Sequence, residues 1–203
     1  MDEHGWISKA TFSSAMASFT GVMEEWKCDP TRTYLVRCPI QRSIEYSFAE
    51  TDATWTNEAN IVWDDPDTVV QPNNSNTTST LWTFSIVFSP IWKVPVLYFT
   101  VVDATSGVPC PRERILASLH HLDDATACSY EEHPVTGVPS CFLHPCRTAE
   151  RLEQLLRPDE QPSPSGAVLL WSWWVLMAPI VGFPIDPETH LRVRNQLMAS
   201  CKD

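Results

Sequence analysis

The chain has no basic excess, no apolar N-terminal run, no internal repeat and no paired Cys-x-x-Cys, and each absence removes a class of function. Fourteen Lys and Arg stand against 25 Asp and Glu, a formal charge of −11 over 203 residues. No cationic surface is left to release counterions from a phosphate backbone, which excludes a nucleic-acid binder. The opening "MDEHGWISKA" carries neither a positively charged n-region nor an apolar h-region, so nothing in it directs the chain to an oxidising compartment. The seven cysteines, Cys28, Cys38, Cys110, Cys128, Cys141, Cys146 and Cys201, are odd in number and irregular in spacing. That argues for reduced thiols in a cytosolic protein, where the sequons at Asn73 and Asn76 mark only a polar loop.

What is present is a globular composition: 43% apolar residues and nine tryptophans speak for a packed core, and 17 prolines for many loops. Such a length suits one domain with insertions. One stretch, "GAVLLWSWWVLMAPIVGFPI" at 166–185, runs without a charge and is long enough to raise the question of a bilayer. Pro179, Gly182 and Pro184 cut its helical part to roughly thirteen residues, and no basic cluster flanks it. A buried core helix is the expectation.

Along the chain, Phe12, Met16, Phe19, Met23 and Trp26 fall at helical spacing, which predicts an amphipathic helix over 11–27. Runs rich in β-branched and aromatic residues at 33–38, 43–48, 53–63, 81–88 and 94–102 predict an antiparallel meander. "SPIWK" forms a hairpin connection between the last two, and 64–80 reads as an inserted polar loop. A helix is expected over 110–122, opening near Pro111, followed by the turn "HPVTGVP" and the apolar run "SCFL". Further helices are expected over 147–156, over the apolar stretch, and from Asp186, a cap with Pro187 at the first helical position.

The chemistry-bearing candidate is Cys146. Pro145 fixes the backbone ahead of it and a helix is expected just after, so its sulfur would lie beside unpaired amides and the positive end of a helix dipole, with Arg147 adjacent. Against this stands the plain alternative of a cysteine that packs or fills a turn. A reactive thiol here serves three chemistries. A cysteine hydrolase would draw its base from His120, His121, His133 or His144. A zinc site would be assembled from Cys141, His144 and Cys146 with Cys110 or Cys128, at crowded spacing. A transthiolating carrier would hold an acyl group as a thioester and pass it to an amine, which needs an accessible thiolate and an oxyanion donor but no strong base.

"HPCRT" at 144–148, followed by "AERLEQLL" and preceded by "HPVTGVPSCFL" at 133–143 and "KVPVLYF" at 93–99, resembles the E2-like conjugating enzymes of autophagy over about residues 80–185. The length and the non-basic first helix favour the branch that joins a ubiquitin-like modifier to a protein over its lipid-conjugating sibling. The resemblance implies a single domain over 1–203, of α+β class: an E2-like core with an N-terminal helix, an antiparallel sheet of four to six strands, a cysteine loop and C-terminal helices. It implies that Cys146 accepts the modifier, protein twelve, from the autophagy E1, protein seven, and passes it to a lysine of the acceptor, protein five. No cofactor or metal is implied. A cytoplasmic location is, with recruitment to the pre-autophagosomal site as a further expectation. The family lacks the asparagine motif of ordinary ubiquitin E2 enzymes, and so does this chain, so another polar group must orient the thioester. His144 is the first candidate and Tyr98 the second, with a core tyrosine as the plain alternative. The family's acceptor contact falls on the sheet and hairpin, here 81–99, with Trp92 at its turn. A non-catalytic module that keeps the E2 shape remains the competing class.

Overall fold

The computed structural model describes residues 7–45, 77–119, 128–145, 148, 152 and 165–199. The strand expected at 53–63, loop residues 64–76, most of the helix expected at 147–156, His120, His121, Cys146 and Arg147 lie outside the described residues.

The first helix, α1 (Lys9–Val22), begins where the Ser8 hydroxyl accepts the amide of Thr11 at 3.0 Å, satisfying one of the unpaired donors of a helix start. It buries Phe12, Ala15, Met16 and Phe19 on one face. The apolar stripe continues to Trp26, but the helix does not. It ends at Met23, and Trp26 opens the short strand β1 (Trp26–Cys28), its indole 1% exposed and edge-on to Phe19. Periodicity alone carried the helix one turn too far, because a buried residue after a helix end mimics the next position of the stripe.

Five further strands complete an antiparallel sheet: β2 (Tyr34–Glu45), β3 (Thr77–Ser89), β4 (Val94–Asp103), β5 (Cys128–Glu132) and β6 (Pro139–Leu143), in the order β1-β2-β3-β4-β6-β5. The expected runs at 33–38 and 43–48 meet in one strand, β2, over their described residues 34–38 and 43–45, interrupted by a bulge. Arg37 pairs with Phe84 and Ile40 with Trp82, so Cys38 and Pro39 together oppose Thr83 alone. The extra residue shifts the side-chain alternation by one, so Leu35 and Arg37 before it and Ile40, Arg42 and Ile44 after it face the same side. Pro39, which has no amide to offer a ladder, occupies the irregular position. Residues 77–80, expected in the loop, belong to β3.

One face of this sheet is covered by helices. Trp82, Phe84, Ile86, Leu97, Phe99 and Val101 point into a core shared with α1 and with α3 (Gly166–Met177). The seven buried residues of α3 are distributed around the helix, as expected of a segment enclosed by protein. At 12 residues it is about 18 Å long, short of the roughly 30 Å hydrocarbon layer, and among the described residues no helix is long and apolar enough to cross a membrane. A Cβ on Gly166 would fall 2.5 Å from Thr11 Cγ2 and 3.0 Å from the Thr11 carbonyl, so the glycine sets how closely α3 approaches α1.

The remaining helices are α2 (Arg112–Ala117), which anchors through Ile115, and α4 (Pro187–Ala199), which anchors through Val193 and Leu197. Asp186 caps α4 by accepting the Thr189 amide at 2.8 Å, and Pro187 takes its first position. The architecture is α+β and E2-like: among the described residues a first helix, four strands, the short α2, two further strands that complete the six-stranded antiparallel sheet, then the C-terminal helices.

Candidate active site

On the sheet face opposite the helices, Val87, Val96 and Tyr98 form a second, smaller apolar cluster with Tyr34 and Phe142 against it. The strand period of two makes this possible, since Leu97 and Phe99 face the helices while Val96 and Tyr98 face away. β4 meets β6 through Tyr98–Phe142 and Phe99–Cys141. Cys141 and Leu143 therefore turn to the helix side, and Phe142 lies on the opposite face, stacked on Tyr98 at 5.5 Å.

Immediately beyond β6 stands His144. Its imidazole lies 6.1 Å from the Phe142 ring and 5.4 Å from that of Trp92, edge to face with the latter. Pro145 follows, buried, and its carbonyl accepts the Thr148 amide at 3.0 Å, so the chain turns at once after the strand. Thr148 and Leu152 are helical, 4% and 3% exposed, and four residues apart, which puts one helix face against the core. In the sequence, Cys146 follows Pro145 and precedes Thr148 by two positions.

Tyr98 is 7% exposed and its hydroxyl donates to Glu131 Oε1 at 3.0 Å. Burial, then that hydrogen bond and the charge of Glu131, push the phenol well above the usual tyrosine range. It is a protonated group whose hydrogen is already directed at a carboxylate. The structure thus brings both Tyr98 and His144 against the Phe142 ring, and His144 is the one that adjoins the cysteine loop along the chain.

Sequence reasoning named His133 only as one of several bases for a hydrolase, and the structure gives it another part. Its Nδ1 accepts the amides of Val135 and Thr136, both at 3.2 Å, which leaves the hydrogen on Nε2, 2.9 Å from Ser85 Oγ. Burial holds the imidazole below the ordinary histidine range. With both nitrogens engaged and its own backbone pairing Val138 and Gly137, His133 organises the β5–β6 turn. Its Nε2 donates to Ser85 and has no lone pair with which to activate it. The pattern of a turn-binding histidine before Pro134 was the only signal available in the sequence.

The zinc alternative also loses a ligand. Cys141 packs in the helix-side core beside Cys128, whose thiol is held far above its ordinary range by a hydrogen bond to Cys141 and by burial. Both turn away from the face on which His144 meets Phe142 and Trp92. Among the described residues no group of three or more His, Cys, Asp or Glu side chains gathers as a metal site.

The sequence profile of the family described as "Autophagocytosis associated protein, active-site domain" matches residues 11–188, from α1 through the cysteine loop into the start of α4. This chain belongs to that family. Among relatives of the autophagocytosis active-site domain, the ubiquitin-like-conjugating enzyme ATG10 of Homo sapiens is 29% identical over 124 residues, covering 56% of this chain and 53% of that protein. ATG10 of Arabidopsis thaliana is 31% identical over 114 residues, 52% and 50% of the two chains. ATG10 of Dictyostelium discoideum is 25% identical over 119 residues, 52% of each. The alignments thus span about half the length of these curated relatives.

Proposed function

We propose that this active-site-domain chain is an E2-like conjugating enzyme of autophagy, in which Cys146 carries a ubiquitin-like modifier as a thioester. The observation that carries the reading is the family match running through His144-Pro145-Cys146 at a point where β6 ends and the chain turns. In the first step the Cys146 thiolate attacks the C-terminal glycine carbonyl of the modifier on the activating enzyme, and that enzyme's thiolate leaves. In the second, a lysine amine of the acceptor attacks the same carbonyl, the Cys146 sulfur leaves, and the amine gives up a proton as the isopeptide bond forms.

His144 is the group we assign to orienting the carbonyl in the second step, because Tyr98 already donates to Glu131 and because the His144 ring is held against two aromatic neighbours. The reading includes the single E2-like domain, the partners protein seven, protein twelve and protein five, and a cytoplasmic location at the pre-autophagosomal site. A two-step assay tests it. Loading from the activating enzyme with ATP should give an adduct released by reductant, and Cys146→Ser should give a reductant-stable ester or none. His144→Ala should slow transfer more than loading; equal rates in both steps would take His144 out of the mechanism. A chain that never loads would belong to the competing class of E2-shaped interaction modules.

A further inference from the structure

Among the six described tryptophans, Trp26, Trp82, Trp171, Trp173 and Trp174 are at most 1% exposed, whereas Trp92 is 45% exposed. Core packing therefore explains five of them and not the sixth. Trp92 sits at the tip of the β3–β4 connection, yet its indole meets an imidazole 52 residues further along the chain, that of His144, at 5.4 Å with the planes 72° apart. The same imidazole also meets Phe142, at 6.1 Å and 37°. Two aromatic rings, one on the β3–β4 connection and one on β6, thus contact the His144 imidazole. An aromatic edge-to-face contact has directional preference as well as area, so it limits how the imidazole rotates.

The tip that presents Trp92 is itself braced. The Ser89 hydroxyl accepts the Trp92 amide at 3.3 Å, and the Ser89 carbonyl accepts the Lys93 amide at 2.8 Å. Lys93 takes a left-handed backbone, with φ of 52°, to turn the chain back into β4. Its carbonyl then accepts the amide of Ile7, a residue 4% exposed just ahead of α1. A loop tip tied to the core at this point is a stiff support for a side chain that is itself half in solvent.

We infer that Trp92 is a positioning residue of the transfer step: it fixes the orientation of His144 from across the sheet and acts on the reaction only through that ring. The inference rests on the reading of Cys146 and His144 given above. It predicts a particular kinetic pattern, because a misplaced orienting group costs most when the carbonyl must be held for an incoming amine.

The test is single-turnover discharge of the Cys146 thioester to free lysine, beside the loading rate, in the full chain. Trp92→Ala should slow discharge by about tenfold, leave loading within about twofold, and leave the thermal midpoint unchanged. Trp92→Phe should recover most of the loss. Leu191→Ala, at a 55%-exposed position on α4 outside the β3–β4 hairpin, is the control that should leave both steps unchanged, and in a His144→Ala background Trp92→Ala should slow discharge no further, since two residues that act as a unit are not additive. Full additivity, a parallel loss of loading, or discharge at the normal rate in Trp92→Ala would each overturn the inference while leaving the thioester reading intact. No adduct at all in the unchanged chain would remove the reading and this inference together.

Discussion

At the scale of single residues, the face of the sheet away from the helices holds two polar groups whose partners are fixed by strand register, Tyr98 and His133. Tyr98 spends its hydrogen on Glu131, an exposed carboxylate. Tyr98→Phe should therefore cost about 1 kcal/mol of stability, read from a denaturant midpoint, and leave thioester discharge within about twofold. A large loss of discharge would make Tyr98 the orienting group instead. His133 is neutral in the fold, with its Nδ1 accepting two amides. Since burial lowers its folded value below that of the unfolded chain, the unfolded state binds the extra proton first. Its contribution is complete above about pH 6.5 and is lost as the pH falls below that value. Urea midpoints should fall between pH 7.5 and pH 5.5, and His133→Gln should flatten that part of the curve; an unchanged slope would show that another group governs it. These partnerships could not be read from the sequence, because Glu131 and Ser85 are far from Tyr98 and His133 along the chain and meet only through strand register.

At the scale of elements, start and stop signals were legible and irregularities were not. Asp186 with Pro187 announced α4, and Pro179 announced the end of α3, because each rests on a backbone rule that tertiary structure seldom overrides. The bulge at Cys38 and Pro39 split one strand into two in the sequence reading, since the break in alternation is identical to a strand end until its partner is seen. β5 was hidden because "SYEE" has no apolar alternation, Tyr130, Glu131 and Glu132 all being exposed although they alternate between the two faces. Gly166 gave no signal either, although it governs the α1–α3 contact. Gly166→Ala adds a methyl 2.5 Å from Thr11 Cγ2 and 3.0 Å from the Thr11 carbonyl. It should destabilise the chain by about 1–3 kcal/mol, visible as a lower midpoint at unchanged steepness. Stabilisation would mean that the better helix propensity of alanine outweighs the crowding.

At the scale of the whole molecule, the two faces of the sheet divide the labour. The helix side holds the large buried aromatics and the Cys128–Cys141 thiols, and supplies stability. The other side carries the aromatic line from Tyr34 and Tyr98, through Phe142, to His144 and Trp92, and it ends beside the cysteine loop. The His-Pro-Cys motif could be proposed as a site from the sequence because the motif is local; the neighbours of His144 could not, because they come from separate elements that only the fold brings together. The most direct test of the account is the intact mass of the chain after incubation with the activating enzyme, modifier and ATP. The account predicts one modifier added per chain, removed by reductant, and none on Cys146→Ala. A reductant-sensitive adduct that survives Cys146→Ala would contradict it.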